Sequence, residues 1–325
     1  MRKFLLKILW FVIPLIIIAV WFERSIFDIP NSCQFKKELC IQKGESMKQI
    51  IIGSSVVAYG VDPAYLPEGT YNMALSGQCM RYDLLFLEKY LPQMPNVKTI
   101  IWGWCYQSLW SDWYTNNLAN VNGTRNDGLL AEYHLYMDIS SGYNPLYYSN
   151  ITSIYISHLI EKWKKYYIKK ESTIYFDSLG LDRIYEHYYY EPSGKEKRES
   201  DFARVADIVE NHTPKYLEAM QEVYKVNMSF ANRVAELCND KGIELIIILP
   251  PVYSSYAELV NSEQLNLIYQ SIQEIQQHWP DVKFHDYFKD SRFGKDDFCD
   301  PNHLFPHTGA IKFAKILQQD LFDLE

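Results

Sequence analysis

Three side chains near the two ends of the sequence have the types that nucleophilic catalysis needs. Ser55 lies in a Gly-Ser-Ser segment, and Asp300 precedes His303 by three residues close to the C-terminus. A serine hydroxyl becomes a good nucleophile when an imidazole takes its proton, and that imidazole needs a carboxylate on its other ring nitrogen. The three residue types therefore predict acyl transfer through Ser55, with His303 as the base and Asp300 as the group that orients it.

Each of these residues has a neighbour or a simpler role that competes with the catalytic interpretation. Ser54 is a second hydroxyl in the same turn, although the Gly-x-Ser register favours Ser55. Ser55 alternatively caps the helix that follows the strand, which is a common use of serine. Asp297 and His307 lie close to the Asp-x-x-His pair in sequence and are alternative partners.

The elements that must position these residues alternate along the chain. Apolar runs bounded by glycine, proline or polar residues predict five strands: Gln49–Ile52, Tyr71–Leu75, Lys98–Trp102, Ile243–Leu249 and Val282–Phe284. Helical periodicity marks other stretches: Tyr82–Leu91, Tyr216–Lys241, Glu263–His278 and Gly309 to about Leu321. Continuous apolar strands that alternate with helices predict an α/β fold with a parallel sheet covered on both faces.

The ends of these strands bring the candidate residues to one edge of the sheet. Right-handed crossovers place the carboxyl ends of parallel strands together, and ligands bind in the crevice beyond them. Ser55 follows the first strand, Gly77 follows the second, and the Asp-x-x-His segment precedes the last predicted helix. We therefore expect the serine, the glycine and the Asp-His pair to meet there.

Residues 106–213 interrupt this alternation. They are rich in Tyr and Trp, mix helical patterns with polar loops, and include the lysine-rich run Lys162–Lys170. We interpret the region as a mainly helical insertion over the carboxyl edge of the sheet. The lysine run predicts a solvated helix face, with a contact to a lipid surface or an anionic glycan as the alternative.

The N-terminus has the pattern of a membrane anchor. Residues 4–22 are apolar and begin among the basic residues Arg2, Lys3 and Lys7. A run of this length can cross a bilayer as a helix, and the basic residues favour a cytoplasmic N-terminus. A cleaved signal peptide is the alternative, but no small-x-small cleavage site follows the run. The predicted organisation is a cytoplasmic stub and transmembrane signal anchor over residues 1–24, a linker over residues 25–46, and an extracytoplasmic α/β domain over residues 47–325.

Composition limits the remaining possibilities. The chain is 48% hydrophobic and 22% charged, which is typical of a globular protein, and its net charge of −8 does not favour nucleic-acid binding. Its six cysteines show no CxxC pair and no Cys/His zinc spacing, so no metal is implied. In an oxidising compartment Cys33 and Cys40 could close a small disulfide loop, whereas the other four are at least as well explained as buried free thiols.

Three segments resemble sequence blocks of the SGNH (GDSL-like) hydrolases: Gly53-Ser54-Ser55, Leu75-Ser76-Gly77 and Asp300-Pro301-Asn302-His303-Leu304. The resemblance covers most of residues 48–325. It implies a flavodoxin-like three-layer sandwich with a central parallel sheet. It also implies that Ser55 is the nucleophile, His303 the base and Asp300 its orienting acid, and that the backbone N–H groups of Ser55 and Gly77 bind the oxyanion.

The third block departs from the family's pattern. Where the family has Gly-x-Asn-Asp, with the Asn as a third oxyanion donor, this chain reads Gly103-Trp104-Cys105-Tyr106-Gln107. Gln107 is the alternative amide donor, and the loss of one such donor typically lowers the rate about a hundredfold or more. An N-terminal anchor combined with a degenerate third block resembles the membrane-anchored branch that includes the D-alanyl-lipoteichoic acid biosynthesis protein family.

This resemblance implies an extracytoplasmic serine esterase or O-acyltransferase that acts on acyl groups of a cell-surface glycan or polymer. It implies no metal or cofactor, and it implies a membrane-bound O-acyltransferase as a partner. A catalytically degenerate glycan-binding or scaffold protein is the alternative, favoured by the weak third block and the aromatic insertion. A purely structural envelope protein is a third. The distances that join Ser55, His303 and Asp300 discriminate between chemistry and these other roles.

Overall fold

The computed structural model describes residues 2–112, 127–140, 142, 145–190, 192–214 and 220–322 of the chain. It divides the chain into two compact units, each made of two segments. The first unit combines Met1–Lys37 with Thr124–Ile174, and the second combines Glu38–Gly123 with Tyr175–Glu325. The predicted insertion at 106–213 is therefore divided between the units, and its residues 113–126, 141, 143–144 and 191 lie outside the described residues.

The second unit is built on a sheet whose five described strands are all parallel: β1 Gln49–Gly53, β2 Thr70–Asn72, β3 Thr99–Gly103, β4 Glu244–Leu249 and β5 Lys283–Asp286. Their order across the sheet is β2-β1-β3-β4-β5. Each strand coincides, within a few residues, with one of the predicted apolar runs. The prediction of an α/β fold with a central parallel sheet is confirmed.

Both faces of this sheet are buried. Ile51, Ile101 and Ile246 are neighbours in register on β1, β3 and β4, and they share a core with Phe313 and Leu317. Successive side chains of a strand point to opposite faces. The residues that alternate with these isoleucines are also buried, so the other face is covered as well.

The described helices connect and cover the strands, and their bounds in chain order are α1 Arg2–Phe27, α2 Ser32–Lys43, α3 Ser55–Ala58, α4 Met80–Tyr90, α5 Asp127–Met137, α6 Asn150–Ser153, α7 Ile156–Trp163, α8 Ile184–Tyr190, α9 Pro192–Ala203, α10 Val205–His212, α11 Gln221–Lys241, α12 Ser254–Leu259, α13 Ser262–His278 and α14 Gly309–Phe322. Helix α4 contacts β1, and α11 packs against β4, α4 and α13. Helices α4, α11, α13 and α14 correspond to the predicted helical stretches, although residues 215–219 at the start of the second stretch lie outside the described residues.

The first unit contains the predicted anchor. Within α1, the segment Trp10–Phe27 is long and apolar enough to cross a membrane, and only 6% of it is buried inside the protein. It overlaps the apolar run predicted at residues 4–22. The prediction of a helix with the properties of a membrane span is therefore confirmed.

The residues that follow the anchor form a helix where a linker was predicted at 25–46. Cys33 and Cys40 both lie on α2, and neither forms a disulfide. Seven positions along one α-helix separate two Cα atoms by about 10 Å, which is beyond the reach of a disulfide. The disulfide considered for this pair is therefore wrong, because the segment is helical rather than a loop.

Candidate active site

The turn that carries Ser55 depends on two glycines at adjacent strand ends. Gly53 ends β1 with a φ of 127°, and a Cβ atom there would lie 2.5 Å from the carbonyl oxygen of Gly103. A Cβ atom at Gly103, at the end of β3, would lie 2.2 Å from Val57 Cγ1. Two residues without side chains therefore let α3 begin directly against the sheet. Ser54 takes the N-cap position of α3, and Ser55 is its first residue.

A short hairpin explains why an Asp and a His three residues apart can act together. Strands β6 Phe298–Asp300 and β7 His303–Leu304 are antiparallel, and Asp300 lies opposite His303 in their register. The Asp300 carboxylate accepts hydrogen bonds from the backbone N–H groups of Asn302 and His303, at 3.0 and 2.9 Å. The turn therefore fixes the carboxylate beside the imidazole.

The structure brings the three predicted side chains into one line of hydrogen bonds. Ser55 Oγ lies 2.8 Å from His303 Nε2. On the other side of the ring, His303 Nδ1 lies 3.0 and 2.9 Å from the two carboxylate oxygens of Asp300. This arrangement fits a neutral imidazole whose Nδ1 carries the proton and whose Nε2 can accept one from the serine.

The competing residues are engaged elsewhere. Ser54 Oγ lies 3.9 Å from Cys105 Sγ. Asp297 accepts hydrogen bonds from Lys312 Nζ and from the backbone N–H of Gly294, at 2.8 and 2.9 Å. His307 packs its ring against Phe305. The geometry therefore selects Ser55, Asp300 and His303 among the residues that the sequence left open.

The environment of Asp300 keeps its carboxyl group ionised. Burial raises the pKa of this group, but the neighbouring His303 and the hydrogen bonds from His303 and Asn302 lower it by more. The net pKa of Asp300 lies below its usual value. An ionised carboxylate holds a proton on Nδ1 of the imidazole and stabilises the imidazolium that forms when the ring accepts a second proton.

Two tyrosines that the sequence did not single out enclose the imidazole. The rings of Tyr59 and Tyr185 have their centroids 5.5 and 5.8 Å from that of His303. The Tyr185 hydroxyl donates to Asp300 Oδ2 at 3.4 Å. Burial raises the pKa of Tyr185 well above its ordinary value, so the hydroxyl remains a donor. Tyr185 lies in the aromatic-rich insertion, where no periodic pattern distinguished it from its many neighbours.

The predicted oxyanion donors line one cleft of about 440 Å³ of open space. Ser55, Gly77 and Gln107 all contribute to its wall. The N–H of Ser55 is at the first position of α3, where an amide has no acceptor within its own helix. Gly77 has a φ of 74°, a left-handed conformation that favours glycine. The three predicted donors therefore line the same cleft, which Ser55 also lines.

A buried carboxylate, Asp83, supports the floor of this cleft. Its oxygens accept hydrogen bonds from Gln78 Nε2 at 2.5 Å and from Trp102 Nε1 at 2.9 Å, and the backbone N–H of Gly53 also donates to it. Gln78 follows the predicted oxyanion glycine, Trp102 is in β3, and Gly53 precedes the serine turn. The Asp83 side chain therefore connects three segments of the chain near the site by hydrogen bonds. An acidic residue on the apolar face of α4 is the signal that could have identified it.

We expect Asp83 to make the stability of the protein depend on pH. Burial raises the pKa of its carboxyl group to about 6, against the lowering effect of its three hydrogen bonds. The unfolded chain therefore loses this proton at a lower pH than the folded chain, and the free energy of unfolding falls by about 3 kcal/mol as the pH rises from about 4 to above 6. Denaturant unfolding of the wild type and of Asp83→Asn across this range measures the effect. If the free energy of unfolding changed equally with pH in the two proteins, the pH dependence would not come from Asp83.

A second, mainly apolar pocket adjoins the cleft. It shares Trp104, Cys105 and Gln107 with the cleft, and its interior has room for about one water-sized group. His212 lies in its wall, with Nδ1 2.8 Å from the Tyr256 hydroxyl. Burial, together with the neighbouring His303 imidazole and against the charge of Asp300, lowers the pKa of His212 to about 4. This second imidazole is therefore neutral at physiological pH, and no sequence pattern pointed to it.

Comparison with protein-family models and with curated proteins finds no significant match to this chain.

Proposed function

We propose that the protein is a membrane-anchored serine esterase or O-acyltransferase that forms an acyl intermediate on Ser55. The observation that carries the proposal is the line of hydrogen bonds from Ser55 Oγ through His303 to Asp300, at 2.8 and 2.9 Å. A structural serine has no need of an imidazole that is itself paired with a buried carboxylate. This combination is what activates a serine hydroxyl as a nucleophile.

The reaction begins with attack of Ser55 Oγ on the carbonyl carbon of an ester, while His303 Nε2 takes the serine proton. The resulting oxyanion accepts hydrogen bonds from the N–H groups of Ser55 and Gly77 and from the Gln107 amide. When the carbonyl re-forms, the ester C–O bond breaks and His303 returns the proton to the departing alcohol oxygen. Water or a sugar hydroxyl then gives a proton to His303 and attacks the acyl carbon. The bond from that carbon to Ser55 Oγ breaks, and His303 returns the proton to Ser55 Oγ.

The position of the site in the fold supports the same proposal. In a sheet of order 2-1-3-4-5, ligands bind where the strand order reverses, beside the ends of the first and third strands. Ser55 directly follows β1, and Gln107 follows β3 within the same cleft. This order and this site match the expected SGNH-type sandwich, which we propose for the second unit.

The small pocket supports an acyl substrate. Val56 and Asn302, the neighbours of the proposed nucleophile and base, both line it. An apolar space beside a nucleophile suits the alkyl part of a short acyl group, whereas the more polar cleft suits the alcohol part of the ester. We propose acylated cell-surface glycans or polymers as substrates, with a membrane-bound O-acyltransferase as partner and α1 as the anchor that holds the extracytoplasmic enzyme at the membrane.

A fluorophosphonate probe tests the proposal on the full-length protein in detergent. We expect one covalent adduct, located on Ser55 by mass spectrometry, because phosphonylation requires the serine that the imidazole activates. Ser55→Ala removes the adduct. Ser54→Ala is the matched control, since it changes the neighbouring hydroxyl in the same turn and retains labelling. An adduct that persists in Ser55→Ala rejects Ser55 as the nucleophile.

A glycan-binding or scaffold role is the second candidate function. The observation that favours it is Cys105, which occupies the position of the asparagine donor in the SGNH pattern that the chain resembles. The two functions differ in the outcome for folded wild-type protein. A protein that binds glycan but neither takes the probe nor hydrolyses acetyl esters is a binding protein, whereas labelling at Ser55 shows a functioning nucleophile.

A further inference from the structure

The first unit places a small group of helices against the end of the anchor helix. The Glu23 carboxylate, near the end of α1, accepts hydrogen bonds from Ser149 Oγ, from the backbone N–H groups of Asn150 and Ile151, and from Asn150 Nδ2, at 2.7 to 3.0 Å. Four donors on one carboxylate fix the start of α6 to α1.

Helix α7 and the turn that follows it are attached to the same end of α1. Leu159, in α7, is buried in a cluster with Ile26 and Ile29, against which Trp163 and Tyr167 also pack. The Tyr167 hydroxyl donates to the carbonyl oxygen of Ser25 at 3.0 Å. The ring of Trp163 lies 6.1 Å from that of Trp21, in an edge-to-face arrangement. Trp and Tyr side chains at the end of an apolar helix are typical of the boundary between lipid and water.

The side of α7 next to this cluster is apolar and exposed. Ile156 and Ile160 are exposed by 52% and 40%, and they lie on one face of the helix because they are four residues apart. Tyr155, just before α7, is 73% exposed, and Ile168, just after it, is 62% exposed. We call Tyr155, Ile156, Ile160 and Ile168 the apolar face. Nothing among the described residues covers it.

Lysines accompany this face. Lys164, Lys165, Lys169 and Lys170 lie in or just after the turn that follows α7, and none forms an ion pair with another described residue. Side chains that combine an apolar stem with a cationic head are suited to the headgroup region of an anionic bilayer.

An apolar groove beside α1 is a further feature that fits lipid. It lies between α1 and α6, and its walls include Ala19, Val20, Phe27, Leu135, Tyr148 and Ile151. The groove borders the segment Trp10–Phe27, which has the properties of a membrane span.

We propose that the apolar face lies in the surface of the bilayer that α1 crosses, with the four lysines at the phosphates of anionic lipids. The contacts between α7 and the anchor favour lipid rather than a protein partner as the occupant of the apolar face. Contacts with Trp21, Ser25 and Ile26 hold α7 at the level where α1 leaves the membrane. The proposal depends on α1 as a membrane helix and is independent of the chemistry at Ser55. For the run Lys162–Lys170, the proposal adopts the lipid-surface alternative in place of the solvated helix face.

Photo-crosslinking of the full-length protein in lipid nanodiscs tests this proposal. Benzoylphenylalanine is introduced at Ile160, and at Glu161 as the matched control, because the neighbouring position points about 100° away around the same helix. We expect lipid adducts at position 160 at a severalfold higher yield than at position 161. The yield at 160 should be higher with phosphatidylglycerol than with phosphatidylcholine, and changing the four lysines to glutamate should remove that difference.

The other outcomes are equally decisive. Equal lipid adducts at positions 160 and 161, or capture of a protein at position 160 in cell membranes in place of lipid, overturn the proposal. The same label at Ile17, within α1, reports whether the anchor itself is in lipid. No lipid adduct at Ile17 rejects the anchor and the surface contact together, and leaves the proposed chemistry at Ser55 unaffected.

Discussion

Replacing Ser55 by alanine is expected to lower kcat for ester hydrolysis about a million-fold, and adding His303→Ala to that variant is expected to lower it no further. The serine and the imidazole share one hydrogen bond of 2.8 Å and act as a unit, so the base has no purpose without the nucleophile. Two side chains that merely bound substrate would instead contribute independently, and their effects would multiply.

Hydrolysis of para-nitrophenyl acetate by the two single variants and the double variant measures this coupling. Ser54→Ala is the control, because it removes a hydroxyl one residue away that contacts Cys105 rather than His303. A double variant markedly slower than either single variant would show that the two side chains do not act in one step.

Asp300→Asn is expected to lower kcat about ten-thousand-fold while leaving the hairpin intact. In the wild type, Asp300 Oδ1 accepts hydrogen bonds from the backbone N–H groups of Asn302 and His303. The side-chain oxygen of the asparagine can still accept both. Its NH2 group would then face His303 Nδ1 and donate to it. The imidazole proton would move to Nε2, and the ring could no longer accept the proton of Ser55.

This loss has a signature that a structural defect would not produce. We expect KM to change little and the unfolding transition of Asp300→Asn to stay near that of the wild type, because the substitution preserves shape and backbone hydrogen bonds. The proton resonances of His303 should show the exchanged tautomer. A variant that keeps wild-type kcat would remove Asp300 from the proposed mechanism.

The sequence predicted the sheet well because a buried parallel strand leaves a local signal. Gln49–Gly53 and Glu244–Leu249 are apolar at nearly every position, since both faces of the sheet are covered, and such runs stand out without any knowledge of their partners. The order of the strands across the sheet was not predicted from periodicity. It depends on crossovers between segments far apart in the chain.

The sequence predicted those site residues that lie in short local motifs. It did not predict those that segments without such a motif bring to the site. Asp300 and His303 lie on one hairpin, so their spacing, together with the Gly-x-Ser turn near the start of the domain, indicated a pair. Tyr185 and His212 lie in a long aromatic-rich region without periodicity, and no sequence pattern distinguished them from their neighbours. The segment after the anchor was predicted as a linker because its polar composition hides α2, whose weakly amphipathic face gives little signal.

The distance in sequence between the two halves of the proposed catalytic pair has a consequence for biogenesis. Ser55 and His303 are 248 residues apart, and the hairpin that carries His303 lies beyond the last strand of the sheet. During synthesis the Ser55 hydroxyl is therefore without its hydrogen-bond partner until the hairpin that carries His303 has been made and has folded beside it. If the proposed mechanism holds, a chain shortened before this hairpin carries an inert Ser55 hydroxyl, and the proposed acyl chemistry is confined to molecules that contain the hairpin and have folded.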